Sequence, residues 1–276
     1  MRPVGVGQPQ RAIRTTLALA RASHPVPGTA VTLLTVALAL TNGVSALVSV
    51  ALAVAVFAGQ LVVGWTNDLF DRGRDVQVGR PDKPLAAGEL TPRAVAGTAA
   101  VFGVVCVVAS MACGVAAGSV HLVLGVGAGL LYNAGVKSTV FSAVPYLVAF
   151  GSLPVVVMLA ADPGRLPPVW MVVVAGLLGV GAHLLNVFPD LDDDEATGVR
   201  GLPHRLGRRR IPGVAAVLLL AATAVCVAAT SPSWMHWVAL AAVIAIIAAT
   251  VRGRGRTPFY GAIVVAGVDA VLVIVS

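Results

Sequence analysis

The sequence predicts an all-α, polytopic membrane protein, with nine transmembrane helices in a bundle and cytoplasmic acidic loops capping a central cavity. Three observations carry this prediction. Hydrophobic residues make up 58% of the 276 and charged residues only 11%, whereas a soluble domain is about 25% charged. Apolar runs of about 20 residues, each able to cross a ~30 Å hydrocarbon core as a helix, recur from Pro27 onward. Basic residues keep to one side of those runs: of nineteen lysines and arginines, only Arg165 falls on the other.

Residues 1–26 carry Arg2, Arg11, Arg14 and Arg21 and no acid. No A-x-A-like cleavage site precedes a polar domain, so this stretch reads as a retained cytoplasmic arm and not a signal peptide. Residues 27–276 read as one transmembrane domain, with spans at 27–43, 45–68, 91–112, 117–135, 141–160, 168–188, 211–230, 234–250 and 257–275. Thr41-Asn42-Gly43 separates the first two spans, and Asp162-Pro163-Gly164 with Pro167-Pro168 separates the fifth from the sixth. By the positive-inside rule the N-terminus and the two larger loops, 71–90 and 190–210, are cytoplasmic and the C-terminus is outside. This suits a bacterial or archaeal cell membrane and accounts for the net charge of +7 without nucleic acid. Trp170, Trp234 and Trp237 then fall at the outer boundary and Trp65 near the inner one. Gly125 and Gly129 form a G-x-x-x-G step suited to close helix packing. Cys106, Cys113 and Cys226 lack metal-ligand spacing and read as small core residues. His121, His183 and His236 occur singly, as interface or interhelical hydrogen-bonding residues.

The acids are placed less evenly than solubility requires. Ten of twelve lie in the two cytoplasmic loops or at the helix ends feeding them. In Asn67 to Asp75, read N-D-L-F-D-R-G-R-D, the carboxylates of Asp68, Asp71 and Asp75 stand at i, i+3 and i+7 on one helical face. Two such charges about 6 Å apart repel by roughly 3 kcal/mol at an effective dielectric near 20, so a cation is expected among them. A second stretch sets Asn186, Asp190 and Asp194 at i, i+4 and i+8, with Asp193 beside them. Both stretches end a span on the cytoplasmic side. Magnesium takes oxygen ligands and is commonly held by one or two carboxylates together with substrate phosphates. Two facing carboxylate walls therefore suit a diphosphate.

Cations stand nearby: Arg72 and Arg74 within the first stretch, Lys83 in its loop, Lys137 after the fourth span, Arg200 after the second stretch, and Arg21 with His24 ahead of the first span. They could neutralise a departing pyrophosphate. A diphosphate at the interface with apolar helices behind it fits a polyprenyl diphosphate donor, whose allylic cation would be kept from water by dry walls.

The motif Asn67-Asp68-x-x-Asp71-x-x-x-Asp75 resembles the first signature of the UbiA-type intramembrane prenyltransferases, and Asp190-x-x-x-Asp194 is similar to their second. Arg21 and His24-Pro25 before the first span, and Lys83-Pro84-Leu85-Ala86-Ala87-Gly88, resemble that family too, with lysine where it has R-P-L-x-x-G. The resemblance implies magnesium-dependent transfer of a prenyl group to a small acceptor, aromatic or a quinone precursor. It implies Asp68, Asp71, Asp75, Asp190 and Asp194 as metal and diphosphate carriers, and Lys83 and Arg72 as catalytic cations. Asn67, Asn186, Arg21, Lys137, Arg200 and Tyr132 are the implied diphosphate-binding residues. Lys137 is followed by Ser138 and not by the arginine that would grip a benzoate carboxylate, which argues against 4-hydroxybenzoate as acceptor.

Other readings compete. A terpene cyclase would ionise the same diphosphate and let the chain's own double bond attack. A cation transporter would need ionisable groups near the bilayer midplane. Only Asp269 lies within a span so placed, and it reads as an acid near the outer interface. A phospholipid headgroup transferase lacks its D-G-x-x-A-R element here.

Overall fold

The computed structural model describes residues 8–230, 233–250 and 252–275. Arg2 of the basic arm and Ser276 lie outside them, as does the side chain of Arg11. The chain is all-helical over these residues: α1 (Gln8–Ala22), α2 (Pro25–Thr41), α3 (Ala46–Gln77), α4 (Pro92–Ala112), α5 (Val115–Asn133), α6 (Val144–Ala161), α7 (Val169–Val187), α8 (Leu191–Ala196), α9 (Leu202–Leu206), α10 (Ile211–Ala229), α11 (Trp234–Thr250) and α12 (Thr257–Val275).

Among the described residues six helices are long and apolar enough to cross a membrane, and seven if α1 and α2, bent by 67°, count as one span. The protein is thus a polytopic membrane protein. Helices α11 and α12 are shorter apolar helices. Each of the nine expected spans corresponds to a helix, so the difference lies in how many reach full crossing length. The bend between α1 and α2 falls at His24, which takes a left-handed conformation with φ 53°, and Pro25 starts α2 where its missing N–H costs nothing. Ser45 caps α3 by accepting from Val48 N at 3.4 Å, and Thr91 caps α4 by accepting from Ala94 N at 3.2 Å.

Six helices form a closed ring. Helices α2, α3, α5, α6, α7 and α12 pack in that order, and α12 returns to α2, while α4, α10 and α11 lie outside. Leucines and valines such as Leu47, Val104 and Val123 are exposed on the periphery, as lipid contact demands and water would penalise. Helix α3 continues nine residues past the expected end of its span and so carries the whole first acidic stretch. After α7 a 3-10 turn over Phe188–Asp190, with Pro189 inside it, leads into α8, and Asn186, Asp190 and Asp194 still turn to the same side.

Helix α1 docks through Ala18 and Ala22 onto Leu61, Trp65 and Val95. Trp65 is buried there, stacks edge-on to Phe102 and donates from Nε1 to Leu19 O at 2.9 Å. It is thus an anchor for α1 and not an interfacial belt residue, because the face of α3 that carries it is covered. Gly64 on the same helix lets the backbone of Ser23 approach: a Cβ at Gly64 would overlap the Ser23 carbonyl. Gly103 has no neighbour within 4 Å of an added Cβ. Gly64→Ala is therefore expected to destabilise by about 1–3 kcal/mol, read as a lower unfolding midpoint in micelles, while Gly103→Ala leaves that midpoint unchanged or raised. Equal behaviour of the two variants would contradict this packing.

Candidate active site

The ring encloses a cavity of ≈ 650 Å³ that opens among the two acidic stretches and runs down between the helices. Asp71 and Asp75 from α3 line it on one side, and Asp190 and Asp194 from the α7 end line it on the other. Both stretches therefore face one cavity. Asn67, Asn186, Arg21, Lys83, Lys137 and Tyr132 also line it.

Asp68 sits one layer back. It is 1% exposed and does not line the cavity. Lys83 Nζ donates to its Oδ1 at 2.6 Å, and His24 Nε2 lies 3.2 Å from the same oxygen. Its Oδ2 is buried without a hydrogen-bond partner. The left-handed turn at His24, the loop carrying Lys83 and α3 are thereby tied at one point. Asp71 is held differently, by Arg74 one helical turn on and by Lys137, whose Nζ lies 2.6 Å from Oδ2 and 3.4 Å from Asn67 Oδ1. Burial pulls the Lys137 ammonium below its ordinary range, and Asp71 opposes that pull.

Arg72 and Arg200 are exposed and absent from the cavity wall. One residue beyond Asp71 on a helix points about 100° away from it, so sequence adjacency misplaces Arg72. Two arginines and a histidine that did not stand out along the chain also reach the acids. Arg80 bonds both oxygens of Asp82 at 2.9 Å and reaches across to Asp190 Oδ1 at 3.2 Å and Asp193 Oδ2 at 3.7 Å. The bond to Asp82 raises the Arg80 guanidinium above its usual range, and Arg80 holds the Asp82 carboxyl low. Arg256 lies 3.7 Å from Asp190 Oδ2, and His204 Nε2 lies 3.6 Å from Asp194 Oδ2. Their sequence signal is weak, since each looks like another topology charge; only the Arg80-x-Asp82 spacing hints at a local pair.

Below the mouth the wall becomes aromatic. Tyr132, Tyr146 and His183 meet ring to ring, with centroids 4.6 to 5.6 Å apart, and Phe150 stacks beyond Tyr146. His183, expected as an interface or interhelical residue, is fully buried in the cavity wall, its Nε2 3.1 Å from the Ser142 hydroxyl. His121 on α5 does pair between helices, with Ser110 of α4 at 2.8 Å. Asp269, expected as an acid near the outer interface, turns to the inside of the ring. It is 1% exposed and in the cavity wall, because ring closure turns that face of α12 inward.

The model of the UbiA prenyltransferase family matches residues 28–258. This chain belongs to the UbiA prenyltransferase family. It is accordingly an intramembrane prenyltransferase. The UbiA homologue from Aeropyrum pernix K1 shares its fold with a TM-score of 0.73 at 18% identity, covering 90% of this chain and 97% of that one. The homologue from Archaeoglobus fulgidus solved with GPP and Mg2+ gives 0.66 at 16%, covering 93% and 99%. A structure of digeranylgeranylglyceryl phosphate synthase gives 0.65 at 16%, covering 95% and 98%. At these identities the likeness establishes the UbiA fold. No curated relative matches the chain by sequence.

The buried Lys83–Asp68 pair yields a sharp test of this network. Lys83→Met leaves a buried carboxylate uncompensated and is expected to destabilise by about 3–5 kcal/mol, whereas Asp68→Asn with Lys83→Met together cost much less. Reversible unfolding in mixed micelles reads both; additive losses would contradict the pairing.

Proposed function

We propose that this UbiA enzyme transfers a prenyl group from a polyprenyl diphosphate to a small acceptor, with magnesium and the diphosphate held between Asp71 and Asp75 on one wall and Asp190 and Asp194 on the other. One observation carries the assignment: both acidic stretches line the polar mouth of a single cavity whose remaining walls are apolar and aromatic. The homologues solved with GPP and Mg2+ and with DMAPP and Mg2+ support the substrate class. The nine apolar helices are taken to cross the bilayer with the N-terminus and acidic mouth cytoplasmic and the C-terminus outside, following the basic residues.

The donor set fits magnesium in kind, being all carboxylate oxygen. Among the described residues no three acids, histidines or cysteines converge as a ready-made metal centre. Diphosphate oxygens would therefore complete the ligation, as is usual for this ion. When bound, magnesium supplies charge neutralisation that lets pyrophosphate leave. Asp71 is oriented for this by Lys137 and Arg74, and Asp68 supports from behind through Lys83 and His24.

As the C1–O bond breaks, its electron pair goes to pyrophosphate, and Lys137, Arg21, Arg80 and Arg256 face the growing charge. Their positions are preset by ion pairs, so little reorganisation is needed. The allylic cation left at C1 would be sheltered near Tyr132 and Tyr146, aromatic rings of the cavity wall whose quadrupoles can stabilise positive charge. Apolar walls exclude water, so an acceptor's electron pair and not hydroxide forms the new bond to C1, and the proton the alkylated acceptor then loses goes to the released pyrophosphate. Arg72 and Arg200 take no part in this scheme, being outside the cavity.

Two outcomes follow for purified enzyme in nanodiscs given a labelled prenyl diphosphate and membrane extract as acceptor source. Asp190→Ala, and separately Asp71→Asn, are expected to lower kcat/KM at least about 100-fold, near 3 kcal/mol of transition-state stabilisation, measured on protein that still elutes as a folded species. Retention of most activity by either would contradict the assignment. Chelation with EDTA is expected to abolish turnover and added magnesium to restore it; a metal-independent rate would contradict the magnesium role.

A further inference from the structure

We infer that His121 and Gln60 anchor the acceptor: an alcove between α3 and α5 takes one hydroxyl of a neutral acceptor as a hydrogen-bond donor. The inference rests on the prenyl transfer reading above. The alcove, of ≈ 30 Å³, adjoins the main cavity, and Gln60, Gly125 and Phe150 line both. Its polar side chains are those of Gln60 and His121. Gln60 is half-buried, and its amide makes no hydrogen bond among the described residues and is not sealed off.

Neighbours fix the hydrogen on His121. Ser110 Oγ donates to Cys106 O at 2.6 Å, so its single hydrogen is committed. The 2.8 Å contact between His121 Nδ1 and Ser110 Oγ therefore runs from the ring N–H to the hydroxyl oxygen. Nδ1 carries the hydrogen of the neutral imidazole, and Nε2 presents a lone pair. Unlike the sealed nitrogens of His183 and His204, Nε2 of His121 is not closed off. The ring edge that bears it lies between two glycines of the alcove wall: a Cβ at Gly59 would stand 3.4 Å from Cε1, and one at Gly125 3.2 Å from Cδ2. Helix α5 is π-helical over His121–Val126, a local irregularity that recurs at functional sites. A lone pair and a free amide facing a space that holds about one oxygen atom suit a hydroxyl. A carboxylate would meet the lone pair with repulsion and find no cation in the alcove wall.

Depth decides which acceptor atom reacts. Gln60 lies about 10 Å below Asn67 on the same face of α3. A hydroxyl in the alcove is thus too far from C1 to be alkylated itself, and an aliphatic alcohol held there would offer no other nucleophile. A phenol does: its oxygen enriches the para carbon, which the length of one aromatic ring carries toward C1. The ring's electron pair forms the new carbon–carbon bond, the hydrogen on that carbon leaves as a proton to pyrophosphate, and the O–H is kept. Val174, Leu178, Ala266 and Ala270 on the opposite wall are left to the prenyl tail.

The test compares phenol with anisole, its methyl ether, for binding to protein in nanodiscs, with empty nanodiscs as the blank and 15N-labelled histidine as the reporter. Wild type is expected to bind phenol at least about tenfold tighter, since a site that hydrogen-bonds an O–H rejects the analogue lacking it. The His121 Nε2 resonance is expected to shift with phenol and not with anisole. His121→Phe is expected to bring the affinity ratio near one. Gln60→Leu, which leaves the His121–Ser110 pair intact, is expected to lower it at least about threefold. No preference in wild type, an unshifted Nε2 resonance with phenol bound, or an unchanged ratio in either variant would overturn the inference. Geranyl thiolodiphosphate with magnesium is titrated separately; its failure to bind wild type would overturn the prenyl diphosphate reading, which the phenol ratio does not test.

Discussion

Carboxylates crowded at one end of an apolar bundle are tolerable only with counter-charge close by, and here that charge arrives from separate parts of the chain. Lys83 from the loop after α3 reaches Asp68, Lys137 from the turn after α5 reaches Asp71, Arg80 crosses to Asp190, and Arg256 from the last loop approaches the same acid. Together the pairs tie three connecting segments to the acids. Desolvation makes such pairs expensive to break and gives them little net value as stabilisers. Their return is geometric: they orient the acids and leave a rim of fixed positive charge ready for an anionic leaving group.

Behind that rim the six-helix ring separates two environments within one cavity. The polar mouth can bind a charged head and the apolar, aromatic body can shelter a reactive cation, and the boundary falls where Tyr132, Tyr146 and His183 meet. Close approach of α3 to the turn before α2 at Gly64, and the anchoring of α1 by Trp65, hold His24 against Asp68 at this boundary. A packing contact between helices thus fixes the position of a side chain at the site.

Composition and periodicity made the helices legible: each apolar run expected to span is a helix, and the three acids of the first motif do share one. The loop lysines Lys83 and Lys137 were also readable, each as a lone lysine just past the cytoplasmic end of a span. What could not be read was which of many arginines faces inward. Arg72, next to an acid in sequence, points away, while Arg80 and Arg256, distant from Asp190 in sequence, face it. One-sided topology charge and site charge look alike along a chain, and only the closed fold separates them. The inward facing of Asp269 was missed for a related reason. Facing on an isolated apolar helix is ambiguous until its neighbours are known, and α12 meets both α2 and α7.

The central claim is that the two acidic stretches serve one metal–diphosphate site. Titration of inorganic pyrophosphate in the presence of Mn2+, followed by the Mn2+ electron paramagnetic resonance signal, tests it without requiring turnover or knowledge of the acceptor. Pyrophosphate and Mn2+ are predicted to bind only together, with Asp75→Asn and Asp194→Asn each weakening binding and the double variant losing far less than the product of the two factors. Losses that multiply fully, or metal that binds each stretch independently of pyrophosphate, would contradict it.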